Sequence, residues 1–106
     1  MAMNGHFNEF HLDDGVPTGG ISCGRGFTIS WQNGALGRGN ERREPSGAFV
    51  EDVIDAVIRR IAAYQDSKFA CPENADALDS LRQAAKRLDD RTKTRDAREV
   101  EGTHTP

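Results

Sequence analysis

Two runs of apolar residues at helical spacing, separated by a short link that contains a proline, constrain this chain more than any other feature. Val50, Ile54, Val57, Ile61 and Tyr64 recur at intervals of three and four, and so do Leu78, Leu81, Ala85 and Leu88. That period places each set on one face of an α-helix. Two helices joined by a link as short as Asp66 to Glu73 fold back antiparallel as a helical hairpin. The helices are expected over about 48–65 and 73–99, with Val53 and Ile58 widening the first face and Pro72 suited to open the second helix. Ser46 is the expected N-cap of the first helix, where Glu51 and Asp52 favour the positive end of the dipole.

The part before the helices reads as β structure. Phe27, Ile29 and Trp31 alternate with Thr28, Ser30 and Gln32, the period of a strand with one covered face. Asn33-Gly34 follows directly, a signal for a two-residue type I′ turn whose central residues both need positive φ. A short return strand over Ala35 to Gly37 is then expected, followed by a charged loop from Arg38 to Glu44. Met1 to Asp14 has no clear period and reads either as a short strand or as a mobile arm, and Gly15 to Gly26 is punctuated by glycine. The expected fold is therefore α+β: a small N-terminal antiparallel β-hairpin or sheet over 1–45 with a flexible start, an antiparallel two-helix hairpin over 46–101, and a polar tail over 102–106, together a single domain. A chain of 106 residues is marginal alone, so its leftover apolar surface is expected to be buried by self-association.

Several function classes lose support from composition. The net charge is −3 with acids and bases interspersed, so the electrostatic footprint of a long nucleic acid is missing. No apolar run reaches the length of a signal segment or membrane span, which makes a soluble intracellular protein the default. Cys23 and Cys71 are too few and too far apart for a disulfide scaffold, and His6, His11 and His104 have no metal-ligand spacing with either. No metal and no cofactor are expected. Gly24-Arg-Gly26 and Gly37-Arg-Gly39 lack the Lys-Ser/Thr pair of a P-loop and read as flexible loops.

Arg91 and Arg95 continue the spacing of the second apolar stripe, and Asn74 begins it. Polar groups at covered positions need partners, which here are a carboxylate or a phosphate. Tyr64 and Asn74 flank the turn. Arg91 lies 17 positions after Asn74, roughly 26 Å along a helix, and Arg95 about 32 Å. One hairpin therefore cannot wrap all four around one small ligand. An antiparallel dimer would set Arg91 and Arg95 of one chain beside Tyr64 and Asn74 of the other, in two equivalent sites. Such a site offers a ring for stacking, an amide for donor and acceptor readout, and two guanidinium forks for phosphate, with no convincing nucleophile or general base.

Each residue also has an ordinary role. Arg91 and Arg95 fit a solvated helix end with Asp89, Asp90 and Asp96 as surface partners, Tyr64 a helix-end core aromatic, and Asn74 a helix cap. Phe69 is either a plug for the turn or a ligand contact. Thr103, close after the arginines, is either a ligand contact or part of a frayed tail. Arg38, Arg42 and Arg43 would serve a small structural or nucleic-acid-binding protein instead.

The segments Trp31-Gln-Asn-Gly, Gly47-Ala-Phe-Val-Glu-Asp-Val-Ile, Tyr64-Gln, Phe69-Ala-Cys-Pro-Glu-Asn74-Ala, Leu88-Asp-Asp-Arg-Thr and Val100-Glu-Gly-Thr-His104 resemble the phage Thoeris anti-defence sponges. More broadly, they resemble the helical-hairpin domain those proteins share with anti-CBASS sponges. The resemblance covers about two-thirds of the chain and leaves out its first twenty-odd residues. It implies a non-enzymatic protein in the cytoplasm of the infected bacterium that binds the immune signal glycocyclic ADP-ribose without degrading it. Cyclic di- or trinucleotides are the alternative ligand, and homodimers that can assemble into homohexamers the expected state. The family's ligand residues fall on Tyr64, Asn74, Arg91 and Arg95. Tyr64 stands where the best-known family members have phenylalanine, which preserves stacking and adds a hydroxyl.

Overall fold

The computed structural model describes residues 7–103, which form a three-stranded antiparallel sheet followed by two helices. This is the α+β arrangement expected from the sequence. The start expected to be flexible, His6, and the tail from His104 onward lie wholly or partly outside the described residues. The chain divides into two compact units, one holding the sheet up to Phe49 together with the segment from Glu99 onward, the other Val50–Arg98.

In the first unit, β1 (Phe7–Asp13), β2 (Val16–Gly24) and β3 (Phe27–Trp31) lie in the order β1-β2-β3. Asp14 and Gly15 both take positive φ, 56° and 78°, as the central residues of a two-residue hairpin turn require. Arg25-Gly26 joins β2 to β3, with Gly26 at φ 78°. The glycine-punctuated stretch is thus a strand and its turns, and Gly24-Arg-Gly26, expected as a flexible loop, is the end of β2 and the turn into β3. Gly20 explains the disguise: it pairs with Phe10 on one side and Trp31 on the other, at φ 125°, and a β-carbon there would collide with the Glu9 carbonyl. Registers His11↔Gly19 and Leu12↔Pro17 leave Thr18 as a bulge.

After Trp31 the structure departs from expectation. Asn33 is not among the residues at positive φ, Gly34 is (75°), and the Gly34 amide donates to the Thr18 carbonyl at 2.6 Å. No return strand forms over Ala35 to Gly37, because the loop's backbone groups find partners elsewhere. Ser46 is not the helix cap either: its hydroxyl accepts from the Asn33 amide at 3.1 Å, and its own amide donates to Gln32 Oε1 at 2.7 Å. Ala48 then pairs in parallel with Trp31, before the helix starts at Val50. The segment after Glu99 is held by the loop that follows Leu36. Gly37 N donates to Gly102 O at 2.6 Å, Arg38 Nη1 to Glu101 O at 3.0 Å and Arg42 Nη1 to Glu101 Oε2 at 2.7 Å.

The second unit is the antiparallel hairpin of α1 (Val50–Gln65) and α2 (Pro72–Ala97), with Pro72 opening α2 as expected. The covered face of α1 is centred differently from the sequence expectation. Val53, Ile54, Ile58, Ile61 and Gln65 are half-buried, while Val50 and Val57 stay 48% and 42% exposed. A helix has room for one inner stripe against a single partner, and here Val53 and Ile58 take it. On α2, Leu81, Ala85 and Leu88 are half-buried and Leu78 is the one buried residue.

Gln65 fixes the turn between the helices. Its Oε1 accepts from the Cys71 amide at 3.0 Å and its Nε2 donates to the Cys71 carbonyl at 3.1 Å, so one side chain serves both backbone groups at the start of α2. Cys71, the N-cap residue, has no side-chain cap bond of its own, which leaves this contact to order the helix start. Gln65→Ala is expected to lower stability by about 1–3 kcal/mol, since the part-buried Cys71 amide loses its partner, while the Cys71 carbonyl keeps the Ala75 amide. Urea titration checks this as a lower midpoint at unchanged slope.

Candidate functional site

Tyr64, Phe69 and Asn74 lie at the turn end of the helical unit, tied by a relay of hydrogen bonds. Ser67 Oγ donates to the Tyr64 carbonyl at 2.6 Å and accepts from the Phe69 amide at 3.1 Å, and Asn74 Nδ2 donates to the Phe69 carbonyl at 3.4 Å. Asn74 is therefore not the helix cap. It is the third residue of α2, and its side chain turns back to brace the loop while its Oδ1 remains an acceptor. The rings are open to solvent, with Tyr64 38% and Phe69 64% exposed. That suits stacking more than the helix-end core role.

Arg60, which no motif singles out, completes this end. Its guanidinium lies over the Tyr64 ring, 5.1 Å from the centroid, and its Nε donates to the Tyr64 hydroxyl at 3.2 Å. The available signal was a cation four residues before an aromatic on one helix, a spacing that brings the two together.

Arg91 and Arg95 lie toward the other end of α2. Arg91 is exposed and Arg95 half-buried. The acids that an ordinary helix end would offer Arg91 are engaged elsewhere. Asp90 binds Lys86 at 2.8 Å and Asp89 binds Lys93 at 3.0 Å. The Lys86 hydrogen bond holds the Asp90 carboxyl below the usual carboxylate range, and the Asp89 hydrogen bond raises the Lys93 ammonium above the usual lysine range. Among the described residues, Arg91 forms no ion pair or hydrogen bond. A 26-residue helix separates the arginines from Asn74 by roughly 26–32 Å, so one hairpin does not gather the four side chains.

Thr103 belongs to the sheet unit, where its hydroxyl donates to the Val100 carbonyl. It is half-buried and hydrogen-bonded rather than frayed. The three arginines of the charged loop are also engaged: Arg38 and Arg42 with Glu101, and Arg43 with the Ala35 carbonyl. Among the described residues, no group of three His, Cys, Asp or Glu side chains is arranged to hold a metal ion, and no helix is long and apolar enough to cross a membrane.

Residues 28–93 match the family described as the Acb2/Tad1 hairpin domain. The matched stretch takes in Tyr64, Phe69, Asn74 and Arg91 and stops just short of Arg95. The chain is also similar to Thoeris anti-defense 1 of Bacillus phage SBSphiJ7, at 38% identity over 82 residues that make up 77% of this chain. Those residues span 55% of that phage protein.

Proposed function

The chain belongs to the Acb2/Tad1 hairpin-domain family, and we propose that it is a non-catalytic phage anti-defence protein that sequesters glycocyclic ADP-ribose in the cytoplasm of the infected bacterium. Holding the signal intact keeps the defence effector from being triggered. The observation that carries this reading is the division of binding chemistry along one hairpin. A stacking ring and an amide stand at the turn, and two guanidinium groups stand roughly 26–32 Å away, where Arg91 has no partner among the described residues.

A second copy lying antiparallel brings the two halves together, twice, with Tyr64 and Asn74 from one chain and Arg91 and Arg95 from the other. The exposed stripe of Val50, Val57 and Tyr64 on α1 is apolar surface that a homodimer or homohexamer would cover. Tyr64, with Phe69 beside it, stacks on the base. Asn74 reads its edge, and the arginines fork onto the pyrophosphate. Base stacking contributes about 1–3 kcal/mol and each charge-assisted contact a similar amount, so a few such terms reach roughly nanomolar affinity.

Calorimetry against cyclic ADP-ribose isomers and cyclic di- and trinucleotides tests the ligand. Tight binding of glycocyclic ADP-ribose is expected; heat from cyclic oligonucleotides alone would transfer the reading to an anti-CBASS sponge. Tyr64→Ala is expected to weaken binding about ten- to hundredfold, the size of one lost stack, while Tyr64→Phe keeps most of the affinity. The same titrations check both values.

A further inference from the structure

Three exposed cations on these helices are matched by a carboxylate one turn away: Arg59 binds Asp55 at 2.7 Å, Lys86 binds Asp90 and Lys93 binds Asp89. Arg60 has none, because the residues three and four positions to either side are Ala56, Val57, Ala63 and Tyr64. Its contacts among the described residues are both to Tyr64, one to the hydroxyl and one to the ring face. A hydrogen bond at the ring's tip and a planar cation over its face together fix how the ring is turned. They also leave only the opposite face for stacking. A guanidinium draws on the ring's π density, which lowers the repulsion an electron-rich purine meets on the other face.

We propose that Arg60 is a positioning residue of the ligand site, holding Tyr64 so that one ring face is presented to a purine base and placing a positive charge behind the stack. This rests on the reading of Tyr64 as the stacking platform, and it makes the Tyr64 hydroxyl the acceptor that anchors Arg60.

The test is a double-substitution cycle with Arg60→Ala and Tyr64→Phe, titrated calorimetrically with glycocyclic ADP-ribose. Arg60→Ala is expected to weaken binding about five- to thirtyfold, the scale of a cation–π contact shielded from water by the bound base. Tyr64→Phe has a smaller effect in the same direction. Because the two act through each other, the double variant binds no more weakly than Arg60→Ala alone. Arg60→Lys, which keeps the charge and loses the Nε donor, falls between wild type and Arg60→Ala. Melting temperatures stay unchanged, as Arg60 is exposed.

Losses that multiply in the double variant, or an Arg60→Ala chain with wild-type affinity, would overturn the role of Arg60 while leaving the ligand assignment intact. A wild-type chain that binds no cyclic ADP-ribose isomer removes the ligand assignment, and the role of Arg60 with it.

Discussion

Replacing both Arg91 and Arg95 by alanine is expected to weaken the binding of glycocyclic ADP-ribose by a factor of about 10²–10⁴, with the fold retained. Hydrogen bonds to charged groups contribute about 1.5–3 kcal/mol each, and each 1.4 kcal/mol is tenfold in affinity. The fold is expected to survive because Arg91 is exposed and both arginines lie beyond Leu88, the last leucine of α2. Lysine at both positions restores only part of the affinity, since an ammonium carries the charge without the planar fork. The decisive extension mixes two defective chains. If each site takes Tyr64 from one chain and the arginines from its partner, a mixed dimer of Tyr64→Ala with Arg91→Ala/Arg95→Ala contains one complete site and one doubly damaged site. Equal mixing then returns about one quarter of the wild-type number of tight sites. A site built within one chain would return none.

Leu78→Ala is the substitution with the largest expected effect on folding. Leu78 is the one buried residue of the two helices, 6% exposed, and α1 has none. Removing its side chain takes away a contact at the α1–α2 interface and leaves a cavity, at a cost of about 2–5 kcal/mol. In a hairpin with so little buried surface that is a large part of the total stability. The expected result is a steep loss of helical circular dichroism and of the cooperative melt. Leu78→Met conserves volume and is expected to cost less than about 1.5 kcal/mol. Added ligand should recover part of the helical signal of Leu78→Ala, because a molecule that binds only the folded state stabilises it.

How legible these features were depended on whether side chains or backbone groups decided them. The helices and β3 are dictated by apolar spacing, and Pro72 marks the start of α2 as its missing amide requires. β2 was hidden because its pairing needs glycine opposite Phe10 and Trp31, and with Pro17 and three glycines in nine residues it shows no apolar alternation. Asp14-Gly15, not Asn33-Gly34, makes the tight hairpin turn, and that choice is set by which strands pair. Ser46 fits the cap rule by composition, yet Gln32 and Asn33 take its polar groups across the loop. On α1, periodicity could not tell the inner stripe through Val53 and Ile58 from the adjoining one through Val50 and Val57. At the candidate site, the types and spacing of Tyr64, Asn74, Arg91 and Arg95 were readable. The Arg60 contact with Tyr64 and the hydrogen-bond relay through Ser67 depend on rotamers, which residue type and spacing do not encode.

Sequestration without turnover is tested most directly by recovery of the bound signal. Glycocyclic ADP-ribose is incubated with excess protein, the free fraction is removed by filtration, and the retained protein is heat-denatured and its released small molecules are identified by mass spectrometry. The expected result is depletion of the ligand from the filtrate and its return, chemically intact and in full, from the denatured protein. Ligand left in the filtrate, or released as a ring-opened or hydrolysed product, would contradict the account.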